Sequence, residues 1–361
     1  MLGRSLQVLG AAMSCAVALA GGTAAAAPEA VATAAHPVLE DRYPERRIPL
    51  AGGVVGLADL TYSVLPGFRP LRLDLYEPPG PPSGSHPLVV FIHGGGWMSG
   101  HTRHSGAFED WPGVLASLAA KGYVVASVEY RLSGEAPFPA AIQDTKAAIR
   151  WLRAHAAQYG IDRQRAIVWG GSAGGQLAAL AATSCGAAAL RPAAPPPAPG
   201  GRAVPRPEDS ESDCVQGLIT WYGIFDFATI AAQSGPDGPQ RLGSAETAPS
   251  RYLGCALSSC TAAILAAASA ASYVNSTDPP ALLIHGTADH TVPVQQSRDF
   301  YALLRSKGVP AELVEIPGVD HSFIGATPAA TRAASLLALR KSFEFIDRTV
   351  GPGSGKPANK H

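Results

Sequence analysis

The sequence predicts an α/β protein built on a mainly parallel sheet with helices on both faces. Apolar runs of strand length alternate along the chain with segments of helical periodicity, the pattern of parallel strands joined by crossover helices. One run, LVVFI in residues 87–93, is continuously apolar, as expected for a strand buried on both faces. The 361 residues are 47% hydrophobic and 16% charged, a composition that excludes a disordered chain.

Eight strands are predicted. The first two are short alternating runs, and Pro66-Gly67 between them indicates an antiparallel hairpin. The others are apolar runs bounded by turn-forming residues. In order, the predicted strands are residues 60–64, 71–76, 87–93, 123–128, 165–169, 215–221, 281–285 and 311–316.

Five helices are predicted between and after these strands. The first ends next to Gly122, a residue type favoured at helix C-termini. The second is long and amphipathic, with Ile142, Ile149 and Leu152 on one side, and closes at Gly160. In order, the predicted helices are residues 111–121, 138–159, 174–183, 295–307 and 329–350.

A single domain is predicted over residues 28–350. Two segments inside this domain and one after it do not follow the alternation of strands and helices. Residues 187–213 are rich in Ala, Pro and Gly and predict a surface loop. Residues 227–278 contain few large apolar side chains and predict an irregular, cap-like excursion with short helices. Residues 351–361 predict a flexible tail.

Residues 1–27 have the composition of a secretory signal peptide. Arg4 is their only charged residue, an apolar run covers residues 6–20, and small residues end in an A-x-A pattern before Pro28. An uncleaved anchor helix is the alternative, but the run is shorter than the ~20 residues that span a bilayer. We therefore expect a secreted or periplasmic protein without stable membrane insertion. The cleavage site stays open, because proline directly after a cut is unfavourable.

The balance of positive and negative residues indicates which kinds of binding partner are expected. There are 28 Lys and Arg residues against 28 Asp and Glu residues, and no basic stretch stands out. Nucleic acid is therefore not expected as a partner. An enzyme acting on a small molecule or a carbohydrate and a binding module both remain open, and the oligomeric state is not indicated.

Four cysteines follow the predicted signal peptide: Cys185, Cys214, Cys255 and Cys260. An even number in an oxidising compartment indicates disulfides, and four cysteines allow three pairings. Cys255 and Cys260 are close in sequence, and pairing them leaves Cys185 with Cys214. The alternative is four buried thiols. A metal site is not expected, because no C-x-x-C motif or nearby histidine accompanies them.

Ser172 lies in the motif GGSAGG between a predicted strand and a predicted helix. In a G-x-S-x-G arrangement the small residues permit a sharp turn that exposes the serine hydroxyl. Ordinary glycine-rich turns can show the same pattern, so the motif by itself does not define a nucleophile.

The motif HGGGW, residues 93–97, follows the buried strand LVVFI. Consecutive glycines let backbone N–H groups approach an oxygen that becomes negative in a transition state. A tight turn is the alternative, and the serine turn downstream favours the first interpretation.

Asp289 and His321 complete a candidate catalytic triad. Asp289 lies in HGTADHTVP after the strand ALLIH, and His321 lies in PGVDHSF after the strand ELVEI. Both are therefore expected at the carboxyl edge of the sheet, where Ser172 also emerges. The order Ser172, Asp289, His321 is that of α/β-hydrolases.

The chain resembles secreted esterases of the α/β-hydrolase superfamily, close to the acetyl-xylan and feruloyl esterase type and related to hormone-sensitive-lipase-like enzymes. The resemblance extends over about residues 59–346. It rests on the motifs LDLYEP, HGGGWMSG, YRLSGEAPFPAAIQD, WGGSAGGQLAAL, WYGIFDF and HGTADHTVP. The Pro-rich stretch after Cys185 departs from the family pattern.

The resemblance implies an α/β-hydrolase fold and a role for each matching residue. Ser172 matches the nucleophile, Asp289 the acid and His321 the base. The backbone N–H groups implied for the oxyanion hole are those of Gly95, Gly96 and Ala173.

Two further acidic residues have expected roles near this site. Asp226 follows the strand LITWY and is an alternative acid, because it also ends a strand. Asp144 is expected to brace the active-site loops by pairing with Arg131.

These observations predict a serine carboxylic-ester hydrolase that needs no metal or cofactor and forms an acyl-serine intermediate. A preference for short acyl groups is expected, such as acetyl groups on carbohydrate. Residues 227–278 offer few large apolar side chains, and Trp97 is expected to narrow the cleft. An amidase, arylformamidase-like or peptidase activity in the same triad is one alternative. A non-enzymatic binding module on this fold is another.

Overall fold

The computed structural model describes residues 46–80, 85–192 and 206–351. They form a nine-stranded sheet. The strands are β1 (Arg46–Pro49), β2 (Val55–Ser63), β3 (Leu71–Glu77), β4 (His86–Ile92), β5 (Val124–Val128), β6 (Ile161–Gly171), β7 (Gly217–Trp221), β8 (Ala281–Gly286) and β9 (Ala311–Ile316). Their spatial order is β1-β2-β3-β5-β4-β6-β7-β8-β9.

The sheet is mainly parallel, as predicted. Strands β4 to β9 pair with one another in parallel, whereas β1, β2 and β3 form an antiparallel edge that joins β5. The predicted hairpin is the β2–β3 pair. Because parallel strands all point the same way, the carboxyl ends of β4, β6, β7, β8 and β9 lie at one edge of the sheet.

The prediction of eight strands was wrong by one, because β1 was not foreseen. All four residues of β1 are exposed, and the strand pairs with β2 from Arg46 opposite Ala58 to Pro49 opposite Val55. Neither face of β1 packs against the core, so its sequence RRIP has no apolar alternation to predict it. Backbone pairing holds this edge strand in place.

Ten α-helices lie in the described residues. They are α1 (Trp111–Ala119), α2 (Ala140–Ala154), α3 (Ala156–Tyr159), α4 (Ala173–Thr183), α5 (Ile230–Gln233), α6 (Gly238–Gly243), α7 (Ala248–Leu253), α8 (Ala262–Ala268), α9 (Gln295–Ser306) and α10 (Pro328–Val350). None of these helices has the length and apolar character needed to cross a membrane.

The helices cover both faces of the sheet. Along β4, Leu88, Val90 and Ile92 belong to one apolar cluster and Val89 and Phe91 to another. The first cluster includes buried side chains of α2, α4 and α9, and the second includes those of α1 and α10. Both faces of β4 are thus removed from water, which explains its continuous apolar run.

The second predicted helix, residues 138–159, is interrupted in the structure. It forms α2 and α3 with a break at His155, whose backbone angles are φ −97° and ψ 17°. The His155 ring lies against Trp151, whose carbonyl oxygen is 2.8 Å from His155 Nδ1. The apolar spacing continues across the break, so periodicity alone did not reveal it.

The two irregular segments contain short helices and turns where the structure describes them. Residues 227–278 contain the short helices α5 to α8. The predicted surface loop, residues 187–213, has 3₁₀ turns at Ala188–Leu190 and Pro207–Ser210, and its residues 193–205 lie outside the described part. The predicted signal peptide and, apart from Gly351, the predicted tail also lie outside it.

The structure contains both disulfides of the favoured pairing, Cys185–Cys214 and Cys255–Cys260. Next to the first, the buried Asp213 accepts a hydrogen bond from the Gly186 N–H and lies 3.5 Å from Lys146 Nζ on α2. The segment between Cys185 and Cys214 is therefore closed by a covalent bond and anchored to α2 by a buried ion pair.

Replacing Cys185 and Cys214 by Ser should lower the free energy of unfolding by about 3–4 kcal/mol, because their disulfide closes a loop with a sequence separation of 29. The matched Cys255→Ser/Cys260→Ser variant opens a separation of 5 and should lose only about 2 kcal/mol. Equilibrium urea unfolding measures both values. Equal losses, or a larger loss in the second variant, would contradict this account.

Candidate active site

Ser172 occupies a strained turn between β6 and α4. Its backbone angles are φ 55° and ψ −122°, a conformation that non-glycine residues rarely adopt. A Cβ on Gly170 would lie 2.2 Å from the Gly174 carbonyl oxygen, and one on Gly174 would lie 2.0 Å from the Ile92 carbonyl oxygen. The motif therefore needs glycine at both positions, because backbone approaches backbone around the serine.

The structure brings Ser172, His321 and Asp289 together. His321 Nε2 lies 2.9 Å from Ser172 Oγ, and His321 Nδ1 lies 2.8 Å from Asp289 Oδ2. Because the ionised carboxylate only accepts hydrogen bonds, we assign the ring proton to Nδ1. Nε2 is then free to accept the hydroxyl proton of the serine.

The Asp289 side chain is fully buried and fully hydrogen-bonded. Its Oδ1 accepts from the N–H groups of Thr291 and Val292, both at 2.8 Å. Its Oδ2 accepts from His285 and His321. Burial raises the pKa of this carboxyl, but the hydrogen bonds from the two histidines outweigh it, so the pKa lies below its usual range. The group is thus a stable anion beside the imidazole.

His285 is a residue of this site that sequence reasoning missed. It is the penultimate residue of β8 and is fully buried, with Nε2 3.2 Å from Asp289 Oδ2 and 2.9 Å from the Val292 carbonyl oxygen. Both neighbours are acceptors, so Nε2 carries the proton, and Nδ1 accepts from the Ser297 hydroxyl at 2.7 Å. The signal available was a histidine four residues before Asp289 in HGTADH.

Two other contacts hold His321 and were also not foreseen. The buried Tyr222 ring has its centroid 4.7 Å from that of the imidazole. The backbone of Tyr222 has a positive φ of 39°. Asp320 Oδ1 accepts from the N–H groups of both His290 and His321. The first contact packs an aromatic ring against the imidazole, and the second fixes the backbone of the loop that carries His321.

Two of the three predicted oxyanion-hole residues lie in the wall of the cavity that contains Ser172. Gly96 and Ala173 line the cavity next to the serine, whereas Gly95 is not part of its wall. Among the described residues, no oxygen accepts a hydrogen bond from the N–H groups of these three residues. Gly96 and Ala173 are therefore available as donors to a substrate oxygen, and the role of Gly95 stays a prediction.

The glycine loop is anchored by His93. Burial lowers the pKa of the His93 ring to about 4, although a hydrogen bond with the Gly94 carbonyl at 2.7 Å opposes the shift. The neutral ring stacks on Tyr130 with ring centroids 4.4 Å apart, and the Tyr130 hydroxyl donates to the His93 carbonyl. These contacts fix the start of the loop relative to β4.

A cavity of about 170 Å³ opens at Ser172. Its wall is mostly apolar, which corrects the expectation drawn from the composition of residues 227–278. That segment is poor in large apolar side chains overall, but two of those it has, Ile230 and Leu242, lie in this wall. The lining residues are Gly96, Trp97, Ser172, Ala173, Ile224, Ile230, Arg241, Leu242, Thr247, Ala248, Pro249, Thr291 and Val292.

Trp97 lines this cavity, as the sequence predicted. Its ring stacks on Tyr252 with centroids 4.4 Å apart, and its Nε1 donates to Gln176 Oε1 at 3.1 Å. Both contacts are buried, so the indole is held rigidly and sets the width of the cavity.

The other acidic candidates are accounted for. Asp226 has its carboxylate bonded to a backbone N–H two residues on, and Asp289 occupies the acid position at His321 instead. Asp144 pairs with Arg131 through both carboxylate oxygens at 2.8 Å, and both side chains are buried. This pair fixes the loop before α2, as expected.

The fold and the three converging side chains define an α/β-hydrolase. Residues 73–304 match the BD-FAE family model, and residues 261–350 match that of the dienelactone hydrolase family. The first match covers more than half of the chain, so the chain belongs to the BD-FAE family, among the α/β-hydrolase-fold esterases.

Curated relatives and a solved structure agree with this family. Esterase LipQ of Mycobacterium tuberculosis is 31% identical over 74% of the chain, and the chain spans 57% of that protein. Esterase LipI of the same organism is 30% identical, over 75% of the chain and 78% of LipI. An esterase from Thermogutta terrifontis, solved with propionate bound, is 26% identical with a TM-score of 0.60, over 82% of the chain and 95% of that structure.

Replacing His285 by Leu should slow the labelling of Ser172 by a fluorophosphonate about tenfold. The variant removes the hydrogen bond that orients Asp289, and a bond to a charged group is worth ~1.5 kcal/mol. His285→Gln, whose amide nitrogen can donate to Asp289, should recover most of the rate. Labelling kinetics are compared at equal folded fraction, judged by circular dichroism. If the folded Leu variant reacts as fast as the wild type, His285 does not position the triad.

Proposed function

We propose that this protein hydrolyses carboxylic esters through an acyl-serine intermediate. The supporting observation is the chain of hydrogen bonds from Ser172 to His321 and on to the buried carboxylate of Asp289. This arrangement matches the requirement of nucleophilic catalysis for a base that is held by a third group.

Each step follows from this geometry. His321 Nε2 takes the hydroxyl proton as Ser172 Oγ attacks the ester carbonyl, and Asp289 stabilises the imidazolium that forms. The oxygen that becomes negative is stabilised by the N–H groups of Gly96 and Ala173. The imidazolium protonates the departing alcohol. Water, deprotonated by His321, then attacks the acyl-serine and releases the acid.

Ser172→Ala should fold normally and lose roughly 10⁴- to 10⁶-fold in kcat/KM for 4-nitrophenyl acetate, because neither of the other hydroxyls in the described wall, Thr247 and Thr291, is hydrogen-bonded to His321. Ser306→Ala, which changes an exposed serine of α9, is the matched control and should keep full activity. Substantial turnover by purified Ser172→Ala would reject the assignment. Comparable wild-type turnover of 4-nitroacetanilide would indicate an amidase instead.

We further propose that the acyl or alcohol group in the cavity is small. The cavity of about 170 Å³ is smaller than the roughly 300–1,000 Å³ of sites for larger ligands. Trp97 and Leu242 narrow it with buried side chains that cannot withdraw into solvent. The propionate bound to the Thermogutta esterase supports the same size class. Acetyl groups on a carbohydrate fit this limit.

The kcat/KM for 4-nitrophenyl esters should be greatest between acetate and butyrate and should decline towards octanoate, because a longer chain does not fit the cavity. Leu242→Ala should shift the optimum to longer esters, since it enlarges the cavity at a buried wall position. Steady-state kinetics across the series measure both effects. A wild-type rate that keeps rising past octanoate would favour a lipase.

We also propose that the protein is exported to an oxidising compartment. The composition of residues 1–27 supports export, and the two disulfides agree with it, since disulfides are rare in reducing compartments. Detection of the chain in the extracellular or periplasmic fraction, with a processed N-terminus, tests this proposal.

A further inference from the structure

Among the residues that the structure describes, Arg241 is the one charged residue in the wall of the cavity at Ser172. It lies on the short helix α6 next to Leu242, which is buried in the same wall, while Arg241 itself is exposed. The arginine therefore stands where the cavity meets solvent, with its neighbour directed into the apolar interior.

The guanidinium of Arg241 has no partner among the described residues: no carboxylate lies within ion-pair distance, and no carbonyl accepts a hydrogen bond from it. Arg251 on helix α7, also exposed, differs, because it is paired with Glu246. Arg251 does not line the cavity. Of these two arginines, the unpaired one, Arg241, lines the cavity at Ser172.

We propose that Arg241 selects esters that carry a carboxylate on their acid or alcohol portion. This inference rests on the proposed function. A guanidinium offers paired N–H donors that match the two oxygens of a carboxylate, and its charge persists at all pH values at which such an enzyme works. The described part of the wall holds no second Lys or Arg, and a single cation balances one negative charge, which favours a carboxylate over a doubly charged phosphate.

The position of Arg241 also defines what it can contact. A substrate carbonyl must reach Ser172, and the cavity between the serine and α6 is small and apolar. The part of the ester that projects from this cavity towards solvent meets the guanidinium. The anion therefore stays partly hydrated while the ester bond is enclosed, so selection does not require burying a charge.

The experiment compares two pairs of substrates that differ by one charge. Monomethyl succinate and methyl succinamate place the carboxylate or the neutral amide on the acid portion. 4-Acetoxybenzoate and 4-acetoxybenzamide place it on the alcohol portion. In at least one pair, Arg241→Gln should lower kcat/KM for the anionic ester about tenfold and change the neutral ester less than about twofold. The pair that responds identifies the portion that carries the carboxylate.

Three controls isolate the effect of the charge. Arg241→Lys should keep part of the preference, and Arg251→Gln should keep all of it. High salt should reduce the wild-type preference and leave Arg241→Gln unaffected. If Arg241→Gln slows both members of each pair equally, or neither, the proposal is wrong. If the wild type turns over none of the four esters nor 4-nitrophenyl acetate, the proposed ester hydrolysis fails instead.

Discussion

The site depends on keeping one buried carboxylate ionised. Removing the charge of Asp289 from water costs several kcal/mol unless every lone pair finds a donor. The donors come from the two backbone N–H groups that follow it, from His285 at the end of β8 and from His321 after β9. They meet because β8 and β9 pair in parallel, with His285 opposite Glu315. The triad is therefore a consequence of strand register as well as of its own residues.

The fold was predictable where burial leaves a pattern in the sequence and unpredictable where it does not. The strands from β2 to β9 have apolar runs because at least one face contacts the core. The exposed strand β1 has no such requirement, and the break at His155 leaves the apolar spacing of its helix intact. The first feature depends on backbone pairing with β2 and the second on contacts between the His155 ring and Trp151, and apolar periodicity reports neither.

The residues of the active site also divide into those that the sequence pattern predicts and those that it does not. Ser172, Asp289 and His321 were predictable because each follows an apolar run, and that places all three at one edge of the sheet. His285 and Tyr222 were not predictable, because their roles depend on the atoms that they contact after folding. One ring nitrogen of His285 contacts two acceptors, and the Tyr222 ring lies 4.7 Å from the imidazole of His321. A histidine or tyrosine at a strand end is compatible with many surroundings, and the sequence does not distinguish them.

The cavity wall shows why average composition is a poor guide to a local surface. Residues 227–278 are mostly small, yet Ile230, Leu242 and Pro249 from three short helices meet over Ser172. Arg241 adjoins this apolar wall, so neighbouring residues of one helix supply size and charge. These two forms of selection are physically separable: steric exclusion does not depend on ionic strength, whereas attraction at an exposed cation weakens as salt screens it. A small apolar cavity rimmed by one unpaired arginine can therefore recognise the length and the charge of an ester independently.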